Sequence, residues 1–105
     1  MRYLLNSPVI TDYGDYRFHG PVPLAAARDF AAQQPQSAIG HAAAARFLSA
    51  QLGIEVACQR VAVRMQPGDQ ALVLRLLDRL PEGAVLDSPT LAALPHEFGL
   101  LTRLA

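Results

Sequence analysis

The chain has 105 residues, about half of them apolar, which predicts one folded domain over residues 1–105 with a modest hydrophobic core. Nine basic residues, all arginine, balance nine acidic ones, so the formal net charge is zero. This balance excludes the basic footprint of a general nucleic-acid-binding module, and no apolar run reaches the roughly 18 residues of a membrane span. With a single cysteine, no internal disulfide can form, and we expect a cytoplasmic protein that binds neither DNA nor membranes.

The first third of the chain predicts two strands and a helix. Residues 3–5 are typical of a short buried strand that ends at Asn6-Ser7-Pro8. Residues 13–18 combine a turn with alternating aromatic side chains, and we expect Pro21 and Pro23 to end this second strand. Pro23 also suits the first turn of a helix that continues to about residue 33.

The middle of the chain predicts a second helix and a hairpin. Residues 41–52 form a helix-prone run that Gly53 ends. Residues 61–65 alternate apolar and polar side chains, as a half-buried strand does, whereas residues 71–77 are more continuously apolar and indicate an inner strand. The turn sequence at residues 67–69 predicts that these two strands pair as an antiparallel hairpin.

The last third of the chain predicts short elements. Residues 85–86 indicate a short extended piece, Ser88 and Pro89 are typical of the start of a helix that reaches about residue 94, and residues 98–104 indicate a last strand. Helices and strands are therefore mixed along the chain, and at least one pair of strands is expected to be antiparallel. This order predicts an α+β fold with a single mixed β-sheet and packed α-helices.

His41, at the mouth of the second predicted helix, is the strongest candidate for chemistry. The free N–H groups and the dipole of a helix N-terminus favour an anion, and Gly40 lets a ligand approach the backbone closely. A phosphate bound there would favour the protonated imidazole, which is the better acid. The same pattern is typical of a histidine that only caps the helix, so the pattern alone leaves both interpretations open.

Other polar residues are weaker candidates. Arg79 can clamp a phosphate, and Glu82, three residues later across a turn, can orient a histidine or a hydroxyl. Arg60 and Arg64 would share one face of the predicted strand at residues 61–65. Asn6 and Ser7 follow the first strand, where sheets with parallel strands often bind ligands. Each of these patterns is equally typical of a surface turn or a solvated sheet face.

The remaining side chains of interest have plainer interpretations. The amide of Gln59 is of a type that reads base edges, whereas His19 and His96 are expected at the surface or in loops without a role. Cys58 is expected to be a small buried apolar residue. The sequence contains neither a cluster with metal-ligand spacing nor a phosphate-binding loop, so we predict no metal and no cofactor.

Short motifs follow one another in a defined order along nearly the whole chain. They are Asn6-Ser7-Pro8, Ser37-Ala38-Ile39-Gly40-His41, Gln59-Arg60-Val61, Gly68-Asp69-Gln70-Ala71-Leu72-Val73, Arg79-Leu80-Pro81-Glu82-Gly83-Ala84-Val85-Leu86 and Glu97-Phe98-Gly99-Leu100-Leu101. No single motif is specific, but their order and spacing are. The series resembles the viral anti-CRISPR ring nuclease family, which degrades cyclic tetra-adenylate, together with its prophage and cellular relatives.

This resemblance implies a small α+β protein that forms a symmetric homodimer. The ligand, the second messenger of type III CRISPR systems, would lie across the two-fold axis of the dimer. Cleavage would be independent of metal and would give linear di-adenylate, because each 2′-hydroxyl attacks its adjacent phosphorus while His41 protonates the 5′-oxygen as general acid. Such a protein switches off CRISPR signalling in the cytoplasm of a prokaryotic cell or of a virus-infected host cell.

The resemblance also assigns roles to individual residues. The implied catalytic residues are His41, Arg79 and Glu82, and the implied ligand-binding residues are Asn6, Ser7 and Arg60. Gly40 is also expected to bind the ligand, because of the close backbone approach that glycine allows. Arg79 would hold the scissile phosphate, and Glu82 would orient the catalytic groups.

The chain departs from the family pattern at Ala42, Ala44 and Gln59, where relatives often carry an acidic residue, a threonine and an asparagine. These departures leave open a sponge or sensor that binds a cyclic oligonucleotide without cutting it. A domain that binds a partner and no nucleotide is the third possibility.

Overall fold

The computed structural model describes residues 1–7, 12–77 and 95–105. Its elements are, in order, β1 (Arg2–Leu5), β2 (Tyr16–Val22), α1 (Leu24–Ala31), β3 (Gln36–Ser37), α2 (Ala42–Leu52), β4 (Gln70–Leu76) and β5 (His96–Arg103). The strands form one five-stranded sheet in the order β2-β5-β4-β1-β3. Both parallel and antiparallel pairs occur, so the predicted α+β fold with a single mixed sheet is confirmed. Among the described residues, no helix is long and apolar enough to span a membrane.

Three neighbouring strands point the same way. β1 is parallel to β3 on one side and to β4 on the other, so the carboxyl ends of all three strands meet at one edge of the sheet, here called the carboxyl edge. Leu5, the last residue of β1, pairs with Val73, and β4 continues from there to Leu76. β4 is thus the inner strand that its apolar sequence predicts.

Both helices cover the same face of the sheet. The core between them contains Leu4, Leu72, Leu74 and Phe98 from the strands and apolar residues such as Phe47 from the helices. The first turns of α2 are buried as a run of alanines, residues 43–45, whose small side chains let this end of the helix approach its neighbours closely. The helices are also tied to each other, because Arg28 Nε donates to the carbonyl of Gln51 at 2.9 Å.

The opposite face of the sheet is covered by the chain after α2. Val63 and Met65 pack there against Tyr3, Val73 and Leu101. The prediction of a strand at residues 61–65 is therefore wrong: the alternation records which side chains face the sheet, but these residues form no ladder. The predicted hairpin is wrong for the same reason, because the neighbours of β4 are β1 and β5.

Three elements begin or end at other residues than the sequence predicts. β2 continues through Pro21 to Val22 with a register irregularity after His19. A proline is tolerated there because β2 is an edge strand, where a missing N–H need not break a ladder. α1 stops at Ala31 rather than near residue 33, and β5 begins at His96 rather than at residue 98.

The two-residue strand β3 has no counterpart among the predicted elements. By contrast, α2 begins and ends as predicted, with His41 as N-cap and Gly53 beyond its last turn at φ 71°. The left-handed backbone at Gly53 suits glycine. The predicted extended piece at residues 85–86 and the predicted helix at residues 88–94 lie outside the described residues.

A tight turn leads into β4 and is fastened by Asp69. The Asp69 carboxylate accepts from the amino-terminal ammonium of Met1 at 2.8 Å and from the backbone N–H of Gln66 at 2.9 Å. Gly68 sits in this turn at φ 92°, which only glycine adopts without strain. The predicted turn at residues 67–69 is confirmed, and its buried carboxylate joins the start of β1 to the start of β4.

Candidate functional site

An open hollow of about 590 Å³ lies at the carboxyl edge of the sheet. It is formed where β1 and β3 end and α2 begins. We call this cavity the site hollow; it is lined by Asn6, Ala38, Gly40, His41, Arg60, Val61 and Ala62. The structure thus brings Asn6, Gly40, His41 and Arg60 together, although they come from three separate stretches of the sequence.

His41 occupies the N-cap of α2. Its backbone is extended, with φ −130° and ψ 126°, and its Nδ1 accepts from the backbone N–H of Ala43 at 3.2 Å. An acceptor nitrogen carries no proton, so in the neutral imidazole the proton is on Nε2. The side chain is exposed, and it presents one hydrogen-bond donor to a ligand in the hollow.

Arg60 reaches the site through a short stretch of chain that lies beside β3. Residues 57–60, here called the edge segment, follow 37–40 in parallel, with a bridge between Ile39 and Cys58 and a hydrogen bond from Gln59 N to Ile39 O at 2.9 Å. The Nε of Arg60 then donates to the carbonyl of Gly40 at 3.0 Å. This contact uses one nitrogen of the guanidinium and leaves its Nη1 and Nη2 without a partner among the described residues.

Gly40 is required by the side chain that crosses it. A Cβ at position 40 would lie 2.9 Å from Cγ of Arg60, which is closer than real side chains approach. The absence of a side chain at Gly40 therefore lets Arg60 pass over the backbone next to His41. The group that approaches the Gly40 backbone in the structure is Arg60, and the close approach of a ligand at Gly40 stays a prediction.

The electrostatics of the hollow suit an anion. Within the described part of the chain, α2 has no acidic residue in its first turn to offset the positive end of the helix dipole. The guanidinium of Arg60 adds a full positive charge with two nitrogens in a plane, a shape that matches phosphate oxygens. The N–H groups, the Nε2 donor of His41 and Arg60 all favour negative charge at one place.

A smaller hollow of about 190 Å³ adjoins the first. Ser7 and Leu5 line it, and it shares Asn6, Ala38, Val61 and Ala62 with the site hollow. The predicted ligand residues Asn6 and Ser7 thus lie in one continuous surface with His41 and Arg60. Val61 and Ala62 are additions that sequence reasoning did not select, and no short-range signal marks them.

Arg79 and Glu82 lie outside the described residues. The strand that precedes them in sequence, β4, ends at the same carboxyl edge as β1 and β3.

Several expectations about neighbouring residues are corrected. Cys58 is exposed rather than buried, and it lies in the edge segment opposite Ile39. His96 is in β5, with its ring 5.0 Å from that of Phe47, and is not in a loop. Arg60 and Arg64 do not share a strand face, since residues 61–65 form no strand.

Gln59 is bound to the backbone and is not placed as a reader of bases. Its Nε2 donates to the carbonyl of Ser37 at 2.8 Å. Of the other departures from the family pattern, Ala44 is buried in the core and Ala42 is exposed, and neither lines the site hollow. Across residues 1–7, 12–77 and 95–105, no group of three or more His, Cys, Asp or Glu side chains is arranged to hold a metal ion.

The fold and the site define a class: small α+β proteins with an anion-suited hollow where parallel strands end and a histidine-capped helix begins. The sequence model of the STIV B116-like family matches residues 2–98, and the chain belongs to that family.

Two relatives, both from viruses, extend this finding. The uncharacterized protein ORF117 of Acidianus two-tailed virus is 48% identical over 50 residues, which is 48% of this chain and 43% of the relative's length. The solved structure of B116 of Sulfolobus turreted icosahedral virus superposes with a TM-score of 0.72 at 20% identity, over 97% of this chain and 98% of the other. At that identity the likeness establishes the fold.

Proposed function

We propose that this chain is a metal-independent ring nuclease that cleaves cyclic tetra-adenylate to linear di-adenylate and so switches off type III CRISPR signalling. The observation that carries the proposal is the convergence of His41, Arg60 and Asn6 on one open hollow at the carboxyl edge. A cyclic oligonucleotide needs phosphate contacts and a proton donor at the same place. Both kinds of group line this hollow.

The proposed reaction uses the ligand's own 2′-hydroxyl as nucleophile. Its oxygen attacks the adjacent phosphorus, the bond from phosphorus to the 5′-oxygen breaks, and a 2′,3′-cyclic phosphate forms. The hydroxyl proton leaves to solvent, and the 5′-oxygen takes a proton from His41. Arg60 and the N–H groups of α2 steady the phosphate charge as it builds up. Arg79 and Glu82 keep the catalytic roles that the resemblance implies.

The cap bond of His41 adds a condition to this mechanism. The acid form of the histidine carries protons on both nitrogens, but Nδ1 accepts from Ala43 N–H. Nδ1 cannot be protonated until that bond opens. We infer that a phosphate bound beside the helix N-terminus favours the imidazolium and that His41 then exchanges its cap bond for catalysis.

The same cap bond favours a second candidate, a sponge or sensor that holds the ring intact. With the bond closed, neutral His41 donates from Nε2 to a phosphate oxygen and has no second proton to transfer. Binding without cleavage would follow if the cap bond stays closed in the complex.

We further propose that the active species is a symmetric homodimer. A four-fold ring contains a two-fold axis, so two identical sites can hold one ring with paired contacts. The expected stoichiometry is one ring for two chains, and calorimetry of wild-type protein with cyclic tetra-adenylate measures it.

The deciding experiment is chromatography of cyclic tetra-adenylate after incubation with protein and excess chelator. Wild type is expected to give linear di-adenylate, and His41→Asn, which retains a capping side chain, is expected to leave the ring intact. His19→Asn is the matched control, since His19 is an exposed histidine on β2 and outside the site hollow. A ring that both wild type and His41→Asn bind but leave intact would favour the sponge or sensor, whereas a ring that neither binds would favour a domain that binds no nucleotide. Equal cleavage by wild type and His41→Asn would refute the role of His41.

A further inference from the structure

We infer that Gln59 is a positioning residue that holds Arg60 beside His41, with Ser37 as its anchor at the end of β3. The inference rests on the proposed function for what Arg60 does there. It concerns a residue that touches neither His41 nor the lining of the site hollow in any described contact.

Gln59 is attached to the β3 strand through two of its own groups. The side-chain Nε2 donates to Ser37 O at 2.8 Å, and the backbone N–H donates to Ile39 O at 2.9 Å. Both acceptors are backbone carbonyls on one short stretch, so the two bonds fix the residue along the strand and across it. Because Arg60 is the next residue, these two bonds also restrict where its backbone lies.

Ser37 anchors the other end of the edge segment. Its buried hydroxyl donates to Ala57 O at 2.6 Å and accepts from Ile39 N–H at 3.3 Å. Ser37 therefore binds residue 57 through its side chain and residue 59 through its backbone carbonyl. The edge segment is held at both positions, and Arg60 Nε meets Gly40 O directly beyond them.

These few bonds matter because the described residues offer the edge segment few other contacts. Residues 57–60 are all exposed, and within residues 1–7, 12–77 and 95–105 the edge segment pairs with the sheet only through the bridge from Ile39 to Cys58. Loss of the hydrogen bond from the Gln59 side-chain amide leaves two others in place: the one from the backbone N–H of Gln59 to Ile39 O and the one from the Ser37 hydroxyl to Ala57 O. The expected result is a displaced arginine in a folded protein.

The test replaces Gln59 by glutamate, which has nearly the same shape but cannot donate to Ser37 O. Gln36→Glu is the matched control. Gln36 is exposed on β3, next to Ser37, and its side chain makes no hydrogen bond among the described residues. The first measurement needs no ligand: it follows the Arg60 Nε–H resonance by NMR, assigned by its loss in Arg60→Gln. We expect that resonance to shift and to exchange faster in Gln59→Glu and to stay unchanged in Gln36→Glu. An unchanged resonance in Gln59→Glu overturns the inference.

The second measurement is the affinity for cyclic tetra-adenylate and the division of the effect between KM and kcat. Since displacement of a positioning group by about 1 Å can cost ~100-fold in rate, we expect Gln59→Glu to lower kcat/KM by roughly 10- to 100-fold, through kcat as well as KM, because Arg60 stabilises the charge that builds up at the phosphate. Unaltered affinity and kcat/KM, together with a shifted Arg60 resonance, would also overturn the inference.

Failure of the proposed function is distinguishable from failure of this inference. If wild type neither binds nor cleaves the ring, the proposed function fails, and the NMR measurement alone decides the position of Arg60. If Gln59→Glu does not fold, Gln59→Met takes its place, because methionine has a similar length and no donor. The same shift of the Arg60 resonance is expected from it, and its absence counts against the inference.

Discussion

Arg60 donates a hydrogen bond to Gly40, and its side chain lies over the backbone of that glycine. Arg60 Nε donates to the Gly40 carbonyl at 3.0 Å. The Cγ of Arg60 lies so close to the backbone of Gly40 that a Cβ added at position 40 would be only 2.9 Å from it. The carbonyl fixes the guanidinium at one end of the contact, and the missing side chain lets the methylene groups lie over the backbone. His41 follows directly in sequence, so this pair sets the distance between a positive charge and a proton donor.

Gly40→Ala is expected to weaken binding of cyclic tetra-adenylate by at least about tenfold with little change in thermal stability, since a misplaced group of this kind costs ~10–100-fold. The added methyl displaces Arg60, whereas the backbone at residue 40 is not in the left-handed region. Calorimetric Kd and Tm measure the two effects. Gly53→Ala should do the reverse: it has room for a Cβ but sits at φ 71°, so it loses roughly 1–2 kcal/mol of stability and retains binding. Equal binding by wild type and Gly40→Ala would contradict the prediction.

Substitutions of His41 should separate capping from chemistry. His41→Ala removes the acceptor for Ala43 N–H and is expected to cost about 0.5–2 kcal/mol of unfolding free energy. His41→Asn supplies a side-chain oxygen in place of the Nδ1 acceptor and should recover most of that loss. Urea denaturation followed by circular dichroism measures both. If His41→Ala is as stable as wild type, the cap contact contributes little in solution.

The salt dependence of ring binding should identify Arg60 as a phosphate contact. Arg60→Gln is expected to lower affinity and to reduce the slope of log affinity against log salt by about 1. Arg17→Gln is the matched control, because Arg17 is exposed on the edge strand β2, away from the site hollow. Titrations at several salt concentrations give the slopes. An unchanged slope for Arg60→Gln would indicate that Arg60 does not neutralise a phosphate.

Asp69 should make stability depend on pH in the acid range. The hydrogen bond from the Met1 ammonium lowers the pKa of Asp69 below its ordinary 3.8; burial opposes this, and Gln66 N–H and the charge of Arg103 act with the ammonium. Because the folded-state pKa is depressed, the stabilisation is full above the unfolded pKa and is lost as pH falls through the folded pKa.

Asp69→Asn tests this dependence. It should cost about 1–3 kcal/mol near neutral pH, and the difference from wild type should shrink as the pH falls below about 4, the ordinary range for this side chain. Urea denaturation across this pH range is the measurement. Asp29→Asn, at an exposed position on α1, is the control variant. A difference that stays constant with pH would mean that Asp69 titrates as it does in the unfolded chain.

Local signals made part of this fold predictable. The Gly40-His41 start and the Gly53 end of α2, and the turn at residues 67–69, are determined by neighbours in sequence, and each lies where the sequence indicates. Residues 61–65 misled because side-chain alternation reports which residues face the core, and such alternation also occurs in a segment that forms no strand. β3 has only two residues, which is too short for any periodic signal.

The candidate site was only partly accessible to the same reasoning. His41 stands out because its neighbours define a helix start. The nearness of Arg60 depends on the bridge between Ile39 and Cys58, which joins residues 19 positions apart. No periodicity encodes such a pairing: the local pattern made Arg60 a candidate on a strand that does not form, and the resemblance to a family then placed it in the same site as His41.

Ser49 gives these contacts a mechanical consequence. Its hydroxyl donates to Ala45 O at 2.8 Å within α2 and accepts from Val56 N–H at 2.9 Å, just before the edge segment begins. The chain from His41 along α2, back through Val56 and on to Arg60 thus closes on itself at Gly40. Local unfolding of α2 would therefore also break the contacts that place His41 and Arg60, and hydrogen exchange along α2 would report such an opening.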